Sequence, residues 1–170
     1  MKKFVILFAL IAILATGTVF ADHPAGTGIG VMGLFGGHWP GGGYGGAAFS
    51  LKLPSLPIYW GVNLHFQKGV FSLGVIGDYY LIDSVLVSDL KLHWFLGLGG
   101  RVNLSFNDDE MLFGLGARIP IGLSWQPVEQ DGMLLEVFAD IAPSLGVRVS
   151  PKFYFPAGGW QGDVGIRLWL

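Results

Sequence analysis

The fold of this chain is decided by the stretch Ile58-Tyr-Trp-Gly-Val-Asn-Leu-His-Phe66. Large apolar side chains occupy every second position, and Tyr59, Gly61, Asn63 and His65 lie between them. Successive side chains of a β-strand point to opposite faces, so one face is wholly apolar and the other is small or polar. The stretch also matches the roughly 9–11 residues that a tilted strand needs to cross a bilayer. It therefore predicts a membrane-spanning β-strand.

The same alternation recurs along the chain and gives eight strand-like segments. Besides the opening stretch, they cover residues 27–35, 47–53, 71–79, 90–106, 113–125, 135–141 and 164–170. Pro120 lies inside the sixth segment, where it must sit in a bulge or forfeit a ladder hydrogen bond. Eight antiparallel strands can close on themselves, and in hydrocarbon only helices and closed barrels satisfy every backbone group. The sequence thus predicts an all-β, eight-stranded antiparallel up-and-down transmembrane β-barrel.

The composition is unusual for a soluble domain and agrees with lipid as the outer solvent. Hydrophobic residues make up 52% of the chain and charged residues 13%, and the mean hydropathy is +0.56. Soluble chains carry about 25% charged residues. Many of the 28 glycines fall on the predicted inward face, where small residues suit a lumen just wide enough for side chains.

The N-terminus has the pattern of a secretory signal. Lys2 and Lys3 precede the apolar run 4–15, and small residues up to Ala21 predict a signal peptide over 1–21 and a mature barrel domain over 22–170. Without the two lysines, eight basic and twelve acidic residues remain, a net charge of −4. No basic patch suggests nucleic acid as a partner. The absence of cysteine excludes disulfides and a lipoprotein anchor.

With its signal sequence, eight alternating strands and final strand, the chain resembles the small OmpA-, OmpX- and OmpW-like outer-membrane barrels of bacteria. In such families the last strand is apolar at alternate positions and ends in an aromatic residue that the barrel-assembly machinery reads. Val164, Ile166 and Leu168 match that pattern, whereas Leu170 departs from it, with the aromatic shifted to Trp169. The resemblance implies a monomer in outer-membrane lipid, with a role in envelope anchoring, surface adhesion or passage of small solutes.

If both termini lie in the periplasm, the odd-to-even connections face outside. These connections are Gly36–Gly46, Gln67–Gly69, Asn107–Glu110 and Pro143–Gly159. The first of them contributes His38, Trp39 and Tyr44 as candidate contacts with an extracellular ligand or with lipid headgroups.

Eight charged side chains occupy strand positions that should face the lumen of the predicted barrel. They are Asp78, Lys91, Arg101, Arg118, Glu136, Asp140, Asp163 and Arg167. Opposite charges in a narrow lumen should pair, because an unpaired buried charge is costly. Two interpretations follow: a static network that plugs the barrel, or a gate whose ion pairs rearrange to open a polar path.

The outward aromatic residues have a simpler explanation. Trp60, Tyr79, Trp94 and Trp125 fit an aromatic girdle at the membrane interface, and Trp169 has the parity to point inward instead. Stacking on a ligand such as a carbohydrate is the alternative.

The sequence gives no positive sign of a metal, a cofactor or an enzyme. His65 and His93 share the inward parity, but no third metal ligand is indicated. His38 is the only loop histidine of the predicted barrel, and no catalytic spacing surrounds it. Two main alternatives to a structural or adhesin-like role remain: a narrow, low-conductance pore, and a secreted or periplasmic lipocalin-like carrier. The second would have to hold the bulky apolar face inside its lumen. An outer-membrane lipid-modifying enzyme is left open beside them.

Overall fold

Nine β-strands dominate the described part of the chain. The structure, a computed structural model, describes residues 24, 26–39, 42–67, 69–106 and 110–170, so the predicted signal peptide over 1–21 and most of the acidic tip at 107–110 lie outside it. The strands are β1 Gly28–His38, β2 Gly43–Lys52, β3 Tyr59–Gln67, β4 Val70–Val87, β5 Leu92–Phe106, β6 Met111–Arg118, β7 Ile121–Gln130, β8 Met133–Ser150 and β9 Tyr154–Trp169. One 3-10 turn, Ser88–Leu90, joins β4 to β5.

The strands form one closed antiparallel ring. Strands that are neighbours in sequence pair with each other, except that β6 and β7 do not pair and instead share β5 and β8 as partners. Strand β9 pairs with β1 and closes the ring. Since β6 and β7 together take one place in the ring, the barrel has eight strands. The predicted all-β, eight-stranded antiparallel barrel is confirmed.

The ring is strongly staggered. Following paired residues once around the barrel from the start of β1 leads back to β1 ten residues further along. The path runs through Gly28, Lys52, Tyr59, Asp78, Gly99, Arg118, Ser144, Gly159 and His38. Such a stagger requires the strands to tilt relative to the barrel axis, and with eight strands it leaves an interior that side chains can fill.

Pro120 interrupts the sixth strand of the ring, as its missing N–H predicts. Two backbone hydrogen bonds connect residues 119 and 120 to the neighbouring strands. Gly97 N donates to Pro120 O at 2.8 Å, and Ile119 N donates to Pro143 O at 3.0 Å. The proline therefore divides β6 from β7 without opening the barrel.

Two predicted connections are wrong in extent. Most of Gly36–Gly46 belongs to β1 and β2, and Pro143–Gly159 is largely the ends of β8 and β9. Glycine and proline weaken strand propensity, but both neighbours of each segment supply a ladder, and Pro143 still accepts a hydrogen bond through its carbonyl. The connections at this end shrink to residues 39–42, 68–69, 107–110 and 151–153.

These four connections define the apical end of the barrel. The basal end holds Gly28, Trp169 and the connections at 53–58, 88–91 and 131–132. Among the described residues no helix is long and apolar enough to cross a membrane.

The outward face carries a continuous apolar row around the barrel. Val75 pairs with Val62 on β3 and with Val102 on β5. The row continues through Phe49, Val31, Ile166 and Leu115. Val31 and Val62 are 57% and 52% exposed. The described charged side chains lie instead on inward positions, in connections or at strand ends.

Inward glycines let neighbouring strands approach closely. A Cβ built on Gly30 would meet the Ile166 carbonyl oxygen and come within 2.9 Å of Arg167 Cα, both on β9. On the same strand, a Cβ built on the outward Gly33 would have only the Val164 carbonyl oxygen within 4 Å, at 3.9 Å.

We expect Gly30→Ala to destabilise the barrel by about 1–3 kcal/mol, because the backbone of β9 must shift to admit the methyl group. Gly33→Ala, which meets open space, should stay within about 0.5 kcal/mol of the parent. Urea unfolding of the two variants, followed by far-UV circular dichroism, checks this. Equal unfolding free energies would contradict the close approach.

Candidate functional site: the barrel lumen

A central network surrounds Arg118 at the end of β6. Its Nη2 donates to Asp163 Oδ2 at 2.8 Å and to Asp140 Oδ1 at 3.2 Å. Its Nε lies 3.3 Å from Asp78 Oδ1. Gln161 Nε2 donates to Asp163 Oδ1 at 2.7 Å. One guanidinium thus joins carboxylates from β4, β8 and β9 across the lumen.

A basal network is centred on Glu136 of β8. Arg167 Nη1 and Trp169 Nε1 each donate to Glu136 Oε2 at 2.7 Å, and Ser124 Oγ donates to Oε1 at 2.8 Å. Arg167 also donates to Ser50 Oγ from Nε at 3.2 Å and from Nη2 at 3.0 Å. All five side chains are buried, so this carboxylate is held by donors from two neighbouring strands.

Stacked aromatic rings fill the lumen beside the basal network. Tyr80 lies between Tyr59 and Phe95, with ring centroids 4.1 and 4.3 Å apart, and Trp169 meets Tyr59 edge to face at 6.3 Å. A void of about 10 Å³ borders these rings and Arg167. Because a water molecule needs at least about 10–15 Å³ of such volume, the void adds little to any path through the basal half.

Six of the eight charged side chains that the sequence predicts in the lumen belong to these two networks. They are Asp78, Arg118, Glu136, Asp140, Asp163 and Arg167. The prediction that Lys91 faces the lumen is wrong. Lys91 follows the 3-10 turn with a left-handed φ of 50°. Its Nζ pairs with Glu129 Oε2 at 2.8 Å on the exposed basal surface. The turn breaks the alternation on which the prediction rested.

The apical half of the lumen is open. It contains a cavity of about 470 Å³ between the ends of β1–β6, β8 and β9. Arg101 lines this cavity, apart from the two networks, together with His38, Trp39 and His65. The base of the lumen is therefore packed with side chains, while the apex holds space for a small molecule.

The three candidate loop residues all reach this cavity. Tyr44 lies in β2 rather than in a loop, and its ring is 4.8 Å from that of His65 and 5.0 Å from that of His38. Trp39 is 59% exposed at the apical rim, where its N donates to Gly158 O at 3.0 Å. The sequence did not predict that Tyr44 lies in a strand, because the glycines around it suggested a loop.

The outward aromatic residues form two groups at different heights. Trp60, Tyr79, Trp94 and Trp125 lie on the outward face in the basal half. A second group, missed in the sequence, lies near the apical connections: Phe71 is 5.6 Å from Phe66 and 6.5 Å from Phe106, between ring centroids. Its sequence signal is a phenylalanine at the apical end of each of three neighbouring strands.

The candidate histidines do not form a metal site among the described residues. No cluster of three metal-binding side chains occurs there. His65 faces the apical cavity, while His93 lies near the base with its Nδ1 3.9 Å from Asp83 Oδ1. The contacts of His38 are to an aromatic ring and to backbone rather than to a nucleophile.

Comparisons with known proteins give one structural likeness. No protein-family model matches the chain, and no curated protein matches it. Among solved structures, the chain is similar to Neisserial surface protein A (NspA), with 9% sequence identity and a TM-score of 0.46 over 84% of this chain and 94% of that one. At this identity and score the likeness assigns no role to any residue.

We expect Arg118→Met to destabilise the barrel by about 3–5 kcal/mol, because it leaves three carboxylates around a site that has lost its cation. Arg118→Lys, which keeps the charge, should lose less. Lys91→Met removes an exposed cation at the basal end and should have little effect. Urea unfolding in phospholipid vesicles compares the three. An unchanged unfolding free energy for Arg118→Met would refute a structural role for the central network.

Proposed function

We propose that the protein is an integral barrel of a bacterial outer membrane with a surface-interaction role, closed to conduction at its base and open to ligands at its apex. The observation that carries this proposal is the unequal filling of the lumen. Buried networks and stacked rings pack the basal half, whereas a cavity of about 470 Å³ opens at the apical end. Small-molecule sites have volumes of about 300–1,000 Å³.

The apolar outer surface of the barrel supports its insertion in a lipid bilayer. Bulky apolar side chains face outward along every strand of the ring, and the described charged groups avoid that face. Membrane barrels carry such an apolar band between aromatic girdles, and the tryptophan and phenylalanine groups occupy its basal and apical sides. A lipocalin-like carrier would need the reverse arrangement, with the apolar side chains inside.

The orientation follows from export. With both termini on the periplasmic side, where the assembly machinery of the outer membrane acts, the four apical connections and the cavity face the outside. Trp39 and the hairpin residues Phe153 and Phe155 are then presented at the cell surface, with exposures of 59%, 72% and 58%. The apex offers both a cavity and exposed aromatic groups to an extracellular partner.

We expect Val75→Arg to lower the unfolding free energy in phospholipid vesicles by about 2–4 kcal/mol, because the new charge would lie in the middle of the lipid-facing row. Val75→Leu should change it little. On a water-exposed surface the same arginine would cost no more than about 0.5 kcal/mol. A small effect of Val75→Arg in vesicles would therefore contradict the membrane assignment.

Planar-bilayer recording tests the closed lumen. We expect no single-channel steps from folded protein extracted from bacterial outer membranes, because Arg118, Phe95 and Trp169 occupy the lumen. Retention in the membrane after an alkaline carbonate wash and a heat-dependent shift in gel mobility show that the sample is folded and integral. Reproducible steps would replace this proposal with the narrow pore, and release by the wash would favour a soluble carrier.

A further inference from the structure

The apical cavity has a lining of distinctive chemistry. Its described walls contain two arginines, Arg101 and Arg148, and no aspartate or glutamate. Apolar contact is offered by side chains of several strands: Val70, Leu112, Trp39, Tyr154 and Ala157. The cavity therefore combines positive charge with an apolar body, which suits a ligand having one anionic end.

Arg101 differs from Arg118 and Arg167 in having no carboxylate partner among the described residues. Arg118 and Arg167 form ion pairs at 2.8 and 2.7 Å. No described carboxylate pairs with Arg101, whose side chain packs over Gly116 and lies near the neutral hydroxyl of Tyr44. A partly buried guanidinium without a counter-charge is costly, and a bound anion would offset that cost.

A second polar group, the imidazole of His65, lies beside the same cavity. His65 Nε2 is buried without a hydrogen-bond partner among the described residues. By contrast, the hydroxyls of Ser72 and Ser105, which also line the cavity, bond to each other at 2.7 Å. Buried polar groups in folded proteins are nearly always paired. The unpaired imidazole nitrogen therefore lies beside the same cavity as the guanidinium that has no described counter-charge.

We infer that the apical cavity binds a small amphipathic oxyanion, a carboxylate or phosphate with a short apolar body, whose head pairs with Arg101. The planar fork of the guanidinium matches two oxygens of either head group. His65 provides a further hydrogen bond, and the apolar walls cover the body of the ligand. The inference rests on the proposed function for the side from which the ligand enters, and it makes Arg101 the residue that determines specificity.

Isothermal titration calorimetry with 3-phenylpropanoate and its neutral amide tests this site. The protein is extracted from expressing cells and placed in nanodiscs of zwitterionic lipid, with empty nanodiscs as the blank. We expect the carboxylate to bind at least about ten-fold more tightly than the amide, since a charge-assisted hydrogen bond contributes about 1.5–3 kcal/mol. Equal affinities for the two probes, or no binding of either, would overturn the inference.

Variants separate the role of Arg101 from general charge and folding. Arg101→Gln should weaken carboxylate binding at least about ten-fold and leave the amide unchanged, and Arg101→Lys should fall between because it keeps the charge but loses the fork. Lys91→Gln removes one cation from the basal end and should bind as the parent does. Unchanged carboxylate binding by a folded Arg101→Gln variant would overturn the inference.

A third arm identifies the source of the oxyanion. Anionic phosphatidylglycerol added to the nanodiscs would suppress probe binding to the parent if a lipid head group fills the site, and this would support the oxyanion site with a membrane ligand. Unaltered probe binding would support a soluble ligand. If no probe binds while the protein resists the carbonate wash and does not conduct, the ligand site is refuted, whereas the proposal of an integral, non-conducting outer-membrane barrel stands.

Discussion

The pairing of β1 with β9 is the interaction on which the rest of the structure depends. Without it the sheet would have two edges of unpaired N–H and C=O groups, and in hydrocarbon each such group costs several kcal/mol. The register from Gly28–Trp169 to His38–Gly159 removes both edges along the whole of β1. Closure at eight tilted strands in turn fixes the width of the lumen, which side chains can just fill. The arrangement of charges and rings inside follows from that width.

A lumen of this width cannot be filled with large side chains on every strand, and the positions of the glycines decide where large side chains fit. Large side chains in the basal half pack against glycines of the facing strands, which have no side chain there. Arg167 packs over Gly28, Met32 and Ile76 pack over Gly61, and Phe138 packs over Gly165. Towards the apex, Gly114 and Gly158 line the cavity, and smaller polar residues leave the space open. The lumen is therefore packed with side chains in its basal half and open in its apical half.

Alternation of apolar and polar residues predicts the strand count, the closed ring and the facing of most side chains, because each strand has a period of two whichever strands it pairs with. It fails where local propensity and the ladder disagree, as in the glycines around Tyr44 and at Pro143, where neighbouring strands extend β2 and β8. It also fails at Lys91, where a turn resets the parity. The cavity itself could not be predicted, because it depends on the stagger that sets which inward residues share a height.

Three of the lumen arginines have different partners because they lie at different heights in the barrel. All have the same parity, yet Arg118 meets three carboxylates and Arg167 meets one, whereas Arg101 meets a phenol and a glycine. The central level thus has more carboxylates than guanidinium groups, and the apical level has the reverse among the described residues. An anion arriving from the apex would reach the uncompensated cation first, while the carboxylates below it would repel passage further down. This ordering of charge favours capture of an anion at the apex over its conduction through the barrel.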